Sequence, residues 1–100
     1  MLACVCLNPS FDRTVSLRSF TAGDVNRVLS ARQDVGGKGI NVAITARRLG
    51  IASCVLGCAG KNGIDAVRRK LDGEQVAHVF LPVNGDVRTN MKIVPQDGTG

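Results

Sequence analysis

The stretch VGGKGINVAITARRLG, residues 35–50, decides the fold. Three of its first five residues are glycines, and they interrupt the alternating polar and apolar pattern that precedes them. After the glycines, apolar residues recur at the spacing of one helical face, at Ile40, Ala43 and Ile44. Two arginines near the end suit the negative end of a helix dipole, and Gly50 suits the position just beyond a helix. The stretch therefore predicts a glycine-rich turn followed by a helix.

Short apolar runs on both sides of this helix predict strands buried in a parallel sheet. They are Leu2–Leu7, Cys54–Cys58 and Val76–Leu81, and the first is expected to be buried on both faces. A second helix is predicted from Ile64 to Gly73, with Asn62 as its N-terminal cap and Asp65 in its first turn. Strands that alternate with helices predict an α/β fold with right-handed connections.

Alternating polar and apolar residues predict a smaller β-layer added to this sheet. Its half-exposed strands are Arg13–Arg18, Val25–Val35 and Val87–Val94, with turns at Thr21–Asp24, Val83–Asp86 and Asp97–Gly98. We expect one partial domain over residues 1–100, with its core at about 2–8 and 37–82 and the β-layer at about 11–35 and 86–95. Three core strands and two helices do not cover both faces of a sheet, so we expect this to be the N-terminal part of a longer protein.

The composition excludes several classes of protein. The 100 residues are 44% hydrophobic and 3% aromatic, which suits one small aliphatic core. No apolar run approaches the ~20 residues of a membrane helix, and the N-terminus lacks a signal-peptide pattern, so we expect a cytoplasmic protein without a membrane partner. The net charge of +5 is spread along the chain without interleaved aromatic residues. This distribution argues against nucleic acid and favours a small anionic ligand.

The four cysteines do not predict a metal site. Cys4 and Cys6 are spaced C-x-C and share one strand face, whereas Cys54 and Cys58 are spaced C-x3-C. Zinc sites favour C-x2-C spacing at turns. We interpret the cysteines as small buried hydrophobic residues in a reducing compartment, and His78 as a core or edge histidine.

The sharpest candidate site is the turn that contains Gly36, Gly37 and Lys38, together with Asn41 in the first turn of the helix. Glycines let a ligand approach the backbone closely, and free N–H groups at a helix start favour an anion or a hydroxyl-rich ligand. The spacing matches neither a Walker A loop nor a dinucleotide fingerprint. The alternative is a plain strand-to-helix turn.

Other polar residues are candidates because of their positions. Asp12 follows the first strand, and ligands bind beyond the carboxyl ends of strands in α/β sheets, so it could accept hydrogen bonds from sugar hydroxyls. Arg88, Asn90 and Lys92 share one face of the last predicted strand and could close over an anion. Arg27, on an earlier strand of the β-layer, is a similar candidate. The alternatives are a solvated turn aspartate and solvated strand faces.

Four motifs, in this order and spacing, resemble the PfkB (ribokinase-like) carbohydrate kinase family. They are NPSFD at 8–12, GDVNR at 23–27, DVGGKGINVA at 34–43, and VRTNMKIV at 87–94 with DGT at 97–99. The resemblance is closest to the phosphosugar kinases of that family and covers essentially the whole chain. It implies a Rossmann-like domain with a β-sheet lid that often serves as a homodimer interface. It also implies ATP and Mg²⁺, with transfer of the γ-phosphoryl group to a sugar hydroxyl.

The same resemblance implies roles for individual residues. Asp12, Gly37, Lys38 and Asn41 fall on sugar-binding positions, and Arg88 falls on a position that holds the phosphate already on the substrate. The resemblance thus implies a phosphorylated sugar as substrate.

The resemblance is incomplete in ways that bear on catalysis. Asn90 and Arg27 fall on lid positions that are less securely matched. The family's ATP-binding segment and its G-A-G-D motif, whose aspartate is the catalytic base, do not occur in these 100 residues. We therefore expect substrate-binding residues but no catalytic residue in this chain, and we expect the catalytic base to lie beyond Gly100. The alternatives are a non-catalytic sugar-phosphate-binding or dimerisation module, and another sugar kinase of the same family.

Overall fold

The computed structural model describes residues 1–96. Within them the elements are, in chain order, β1 (Leu2–Cys6), β2 (Ser10–Leu17), β3 (Val28–Gly36), α1 (Lys38–Arg48), β4 (Ser53–Asn62), α2 (Ile64–Gly73), β5 (Ala77–Asp86) and β6 (Arg88–Pro95). They form two compact units. The α/β unit comprises Met1–Ser10 and Val35–Arg88, and the β unit comprises Phe11–Asp34 and the chain from Thr89. Neither helix in residues 1–96 has the length and apolar character that a membrane crossing needs.

The α/β unit is built on a three-stranded parallel sheet with the strand order β1-β4-β5. The helices α1 and α2 return the chain to the same end of the sheet, because parallel neighbours need such a crossover. The predicted α/β fold with a parallel sheet is therefore confirmed. The three apolar runs identified in the sequence all form strands of this sheet.

The predicted turn at Val83–Asp86 is wrong, because β5 continues through it to Asp86. The pairing with β4 passes Pro82 and Val83, and it reaches Asp86 after a register shift between Gly60 and Asn62. Since β5 is an edge strand of this sheet, the missing N–H group of Pro82 is tolerated there.

Both helices pack on one face of the parallel sheet. α1 contacts β1 and β4, and α2 contacts β4 and β5. The strand residues beneath the helices are buried, namely Cys4, Cys6, Val55, Ala59 and Phe80. The opposite face of β1 is exposed, with Val5 at 64%. The prediction that β1 is buried on both faces is therefore wrong for this chain.

The ends of the two helices agree only partly with the sequence analysis. α1 ends as predicted: the N–H of Gly50 donates to the carbonyl of Arg47 at 3.0 Å, and two arginines occupy the last turn. The predicted cap of α2 is wrong, because Gly63 is its N-cap and no side chain caps it. Asn62 instead belongs to β4 and donates its side-chain amide to Asp86 Oδ1 at 2.9 Å.

The β unit contains the other three strands, in the order β3-β2-β6. β3 starts at Val28 rather than at Val25 as predicted, because Asn26 holds the preceding residues in a loop. Its side chain accepts the Thr21 N–H at 2.8 Å and donates to the Thr21 carbonyl at 2.9 Å. The predicted turn at Asp97–Gly98 and the last residue, Gly100, lie outside the described residues.

Candidate functional site

The start of α1 is a strongly electropositive feature of the α/β unit. Gly37 is the N-cap, and its φ of 142° is a conformation that favours glycine. The carbonyl of Gly37 accepts the N–H of Asn41 at 2.9 Å, which closes the first turn of the helix. That turn contains no acidic residue, and Lys38 forms no ion pair with any residue in 1–96. Lys38 therefore adds its charge to the positive end of the helix dipole without compensation.

Cys6, at the end of β1, lies against this turn. A side chain at Gly37 would place its Cβ 3.0 Å from Cys6 Sγ, so the turn lies directly against the end of β1. Burial raises the pKa of the Cys6 thiol, while backbone hydrogen bonds from Asn8 and Ile40 and the charge of Arg88 oppose the rise. The charge of Arg88 is the smallest of these contributions. The start of α1, the end of β1 and Arg88 all belong to the α/β unit, and we call these residues the α1 cation region.

Arg88 is held at this place by the residue before it. Val87 is buried, and its N–H donates to the carbonyl of Asn62 at the end of β4, at 3.1 Å. The Arg88 side chain is itself exposed and forms no ion pair within the described part of the chain. A fixed backbone with an accessible guanidinium suits the bidentate recognition of a phosphate.

Asp12 and Asn90 meet in the β unit. Asp12 lies inside β2 and is half-buried, so the interpretation as a solvated turn aspartate is wrong. Asn90 Nδ2 donates to Asp12 Oδ1 at 3.1 Å, which links β2 to β6. An ionised carboxylate has about four acceptor sites, so Asp12 can hold Asn90 and still accept hydrogen bonds from hydroxyl groups.

Arg27 lies in a different part of the β unit from the predicted strand position. It belongs to the loop before β3 and lines a surface pocket of about 430 Å³ together with Arg18, Thr21, Val25 and other residues of that loop.

The predicted polar and apolar faces of β6 are not distinguished by burial, because both faces are exposed from Arg88 to Ile93.

The cysteines and the histidine serve the structure of the α/β unit. All four cysteines are free, with Cys4 and Cys6 buried and Cys54 and Cys58 half-buried. His78 is half-buried, and its Nε2 lies 2.8 Å from Asp72 Oδ1, a partner from α2 that the sequence pattern had not indicated.

The described residues include no cluster of metal-ligating side chains, and the turn before α2 differs from the turn before α1. No group of three or more His, Cys, Asp or Glu side chains in residues 1–96 is placed to hold a metal ion. The start of α2 is the other strand-to-helix turn, but Asp65 stands in its first turn. A Cβ at Gly60, in β4, would lie 2.5 Å from the backbone of Asp86, so the end of β5 packs directly against this part of β4. We therefore derive no step through ATP or Mg²⁺ from these residues.

Sequence reasoning found most of these residues but missed two contributors. The sequence analysis treats Cys6 only as a buried hydrophobic residue, although its Sγ lies against the Gly37 turn. Arg18 was interpreted only as the end of a strand, although it shares the loop pocket with Arg27. The period-2 pattern of β1, which directs Cys6 toward the following helix, is the signal that could have identified the first.

Comparison with known proteins shows what the chain is similar to. It is 38% identical over 93 residues to 1-phosphofructokinase of Rhodobacter capsulatus, covering 93% of this chain and 29% of that protein. It is 37% identical over 99 residues to 1-phosphofructokinase of Bacillus subtilis, covering 99% of this chain and 33% of that protein. The chain thus spans about a third of the length of the curated relatives that it matches.

A solved structure and a family model give the same result. A Staphylococcus aureus protein assigned as a phosphofructokinase superposes with a TM-score of 0.87 at 30% identity, covering 96% of this chain and 31% of that one. The family model described as pfkB family carbohydrate kinase matches residues 6–100. This match includes both the glycine-rich turn before α1 and Arg88, and the chain belongs to the pfkB family of carbohydrate kinases.

Proposed function

We propose that this chain is the substrate-binding part of an ATP-dependent phosphosugar kinase, 1-phosphofructokinase, which converts fructose 1-phosphate to fructose 1,6-bisphosphate. The observation that carries the proposal is the α1 cation region, where Lys38 and Arg88 lie without acidic partners among the described residues. Such a region suits a substrate that already carries a phosphate. The names of the relatives support the choice of 1-phosphofructokinase.

Each candidate residue has a role in this proposal. Lys38 and Arg88 bind the phosphate already on the sugar, and the absence of side chains at Gly36 and Gly37 lets the substrate approach the backbone. Asp12 and Asn41 orient the sugar hydroxyls. Two further residues belong to the β unit, which we propose to be the lid. Asn90 positions the Asp12 carboxylate, and Arg27 supplies an additional cation.

The phosphoryl donor and the metal are expected to bind elsewhere in a complete enzyme. ATP would supply the γ-phosphoryl group and Mg²⁺ would offset its charge. The residues described above would bind and orient the acceptor, so that its hydroxyl is held ready for transfer. We propose that the base which receives the hydroxyl proton lies beyond Gly100, and this position stays a prediction.

Two alternatives and two further expectations accompany the proposal. A non-catalytic sugar-phosphate-binding or dimerisation module would use the same α1 cation region, and tagatose-6-phosphate kinase would use the same residues on another sugar.

We propose a homodimer through the lid strands β2, β3 and β6, since the exposed residues of β6 include Met91 and Ile93. Four free cysteines suit a reducing compartment, which supports a cytoplasmic location.

Replacing Asp12 by alanine is expected to weaken sugar binding at least about tenfold, since a hydrogen bond to a charged group is worth ~1.5–3 kcal/mol. The protein for this measurement is the Bacillus subtilis relative in which this chain replaces the 99 matched residues. Calorimetry with fructose 1-phosphate, and separately with an ATP analogue, should show a loss for the sugar only.

Asp34→Ala is the matched control for Asp12→Ala, because Asp34 is a carboxylate of the neighbouring strand β3 that pairs with Arg32 at 3.0 Å. It should leave both affinities unchanged. Equal sugar affinity in Asp12→Ala and its parent would remove Asp12 from the binding site.

A polypeptide of these 100 residues alone is expected not to turn over ATP. Phosphoryl transfer needs a donor held in line with the acceptor and a metal ion to offset charge, and we propose that both bind to parts of the enzyme beyond this chain. The measurement is coupled detection of ADP with Mg-ATP and fructose 1-phosphate. Sugar-dependent ADP release that Asp12→Asn abolishes would show that the catalytic machinery lies within this chain and not beyond Gly100.

A further inference from the structure

An acidic residue lies close to Arg88 in the sequence without pairing with it. Asp86 stands two residues before Arg88, and both are exposed, whereas Val87 between them is buried. Two extended residues span at most ~7 Å, a distance that a flexible arginine side chain can bridge to a carboxylate. Nevertheless, Arg88 forms no ion pair with any residue that the structure describes.

A pair with the same separation elsewhere in the chain behaves differently. Arg32 and Asp34 are also two residues apart, in β3, and Arg32 Nε lies 3.0 Å from Asp34 Oδ2. Asp34 makes no other side-chain hydrogen bond or ion pair within residues 1–96. An arginine and an aspartate at this spacing can therefore pair when nothing else holds the aspartate, and something else holds Asp86.

Asn62 binds the Asp86 carboxylate from the end of β4. Its amide nitrogen Nδ2 donates to Asp86 Oδ1 at 2.9 Å, and the two residues face each other in the pairing of β4 with β5. An ionised carboxylate only accepts hydrogen bonds, so the donating half of the Asn62 amide must face it. Asn62 thus occupies the carboxylate that would otherwise be available to Arg88.

We propose that Asn62 is a positioning residue that keeps Arg88 free for a phosphate group. By binding Asp86, it prevents this carboxylate from competing with an anionic ligand for the guanidinium. Arginine recognises carboxylates and phosphates through the same fork of N–H groups, so one anion excludes the other. The inference rests on the proposed function, because it requires that Arg88 binds the phosphate already on the sugar.

The backbone around Asp86 does not depend on the Asn62 side chain. The N–H of Val87 donates to the main-chain carbonyl of Asn62 at 3.1 Å, and the Val87 side chain is buried. A Cβ at Gly60 would lie 2.5 Å from the Asp86 backbone, so β4 and β5 approach closely here through their main chains. Truncating the Asn62 side chain should therefore release the carboxylate and leave the backbone of Arg88 in place.

The experiment measures the affinity for fructose 1-phosphate and for unphosphorylated fructose by calorimetry. The protein is the Bacillus subtilis relative in which this chain replaces the 99 matched residues. We expect Asn62→Ala to lower the affinity for fructose 1-phosphate about two- to fivefold, the effect of one exposed ion pair, and to leave the affinity for fructose unchanged. In the Asp86→Asn background, Asn62→Ala should change neither affinity, because a neutral amide does not compete for Arg88.

Asn84→Ala is the matched control for Asn62→Ala, because Asn84 is an exposed asparagine of β5, two residues before Asp86. It should leave both affinities unchanged. A loss in Asn62→Ala that is equal for both sugars, or that persists in the Asp86→Asn background, would overturn the inference, because Asn62 would then act through the fold.

Arg88→Ala separates this inference from the proposed function. If Arg88→Ala weakens fructose 1-phosphate binding but Asn62→Ala does not, the proposed function stands and the role of Asn62 is wrong. If Arg88→Ala binds fructose 1-phosphate as tightly as the parent, the proposed function is wrong and the role of Asn62 is overturned with it.

Discussion

Replacing Gly57 by alanine is expected to unfold the α/β unit. Gly57 pairs with Cys6 across β4 and β1, and a Cβ at this position would overlap the carbonyl oxygen of Cys6. Because that oxygen belongs to the backbone, no side-chain rotation relieves the collision, and the two strands would have to separate. Changes that strain the backbone in this way cost more than about 4 kcal/mol, a large part of the ~5–15 kcal/mol of a whole domain.

Gly73→Ala is the control for Gly57→Ala, because a Cβ at Gly73 meets nothing within 4 Å. Gly73 is the last residue of α2, and alanine in a helix is favoured over glycine by up to ~1 kcal/mol. Chemical denaturation followed by circular dichroism should show a large loss for the first variant and none for the second. Equal stability of the two variants would mean that β1 and β4 do not approach each other as described.

Arg88→Ala is expected to lower the affinity for the phosphorylated sugar about ten- to a hundredfold. This is the loss in affinity that corresponds to the ~1.5–3 kcal/mol of one charge-assisted hydrogen bond. Its effect on unphosphorylated fructose should be small, because that sugar lacks the group that Arg88 binds. The measurement is calorimetry on the Bacillus subtilis relative in which this chain replaces the matched residues.

Arg69→Ala is the matched control for Arg88→Ala, because Arg69 is also an exposed arginine of the α/β unit and lies on α2, outside the α1 cation region. It should leave both affinities near those of the parent. A loss of equal size for both sugars in Arg88→Ala would indicate that Arg88 supports the fold or the lid rather than the phosphate.

The elements that sequence reasoning predicted well are those whose signals are local. The apolar spacing of Ile40, Ala43 and Ile44 and the glycine after Leu49 define α1 without knowledge of the rest of the chain. The alternation in β1 likewise placed Cys4 and Cys6 on one face. Lys38 was recognised because its charge stands beside three glycines, and the structure leaves it without an ionic partner in residues 1–96.

The elements that sequence reasoning predicted wrongly depend on contacts between residues that are far apart in the sequence. Pro82 and Gly85 are ordinary turn residues, and only the pairing of β5 with β4 carries the strand through them. Asn62 has the residue type of a helix cap, but Asp86 takes its side-chain amide. The exposure of Val5 could not be predicted from the alternation in β1, because it depends on which face of the sheet both helices cover.

The strand order also has a consequence for how the α/β unit folds. β4 pairs with β5 between residues 23 apart, as in Cys54 with Ala77, whereas β1 pairs with β4 between residues 51 apart, as in Leu2 with Ser53. Closing the longer loop costs about 0.7 kcal/mol more in chain entropy, and that loop contains residues 11–34 of the other unit. The β4-α2-β5 segment is therefore the less costly of the two pairings to form first, and we expect β1 to dock on it afterwards. Since β1 ends in Cys6, the α1 cation region takes its final form only when this last strand arrives.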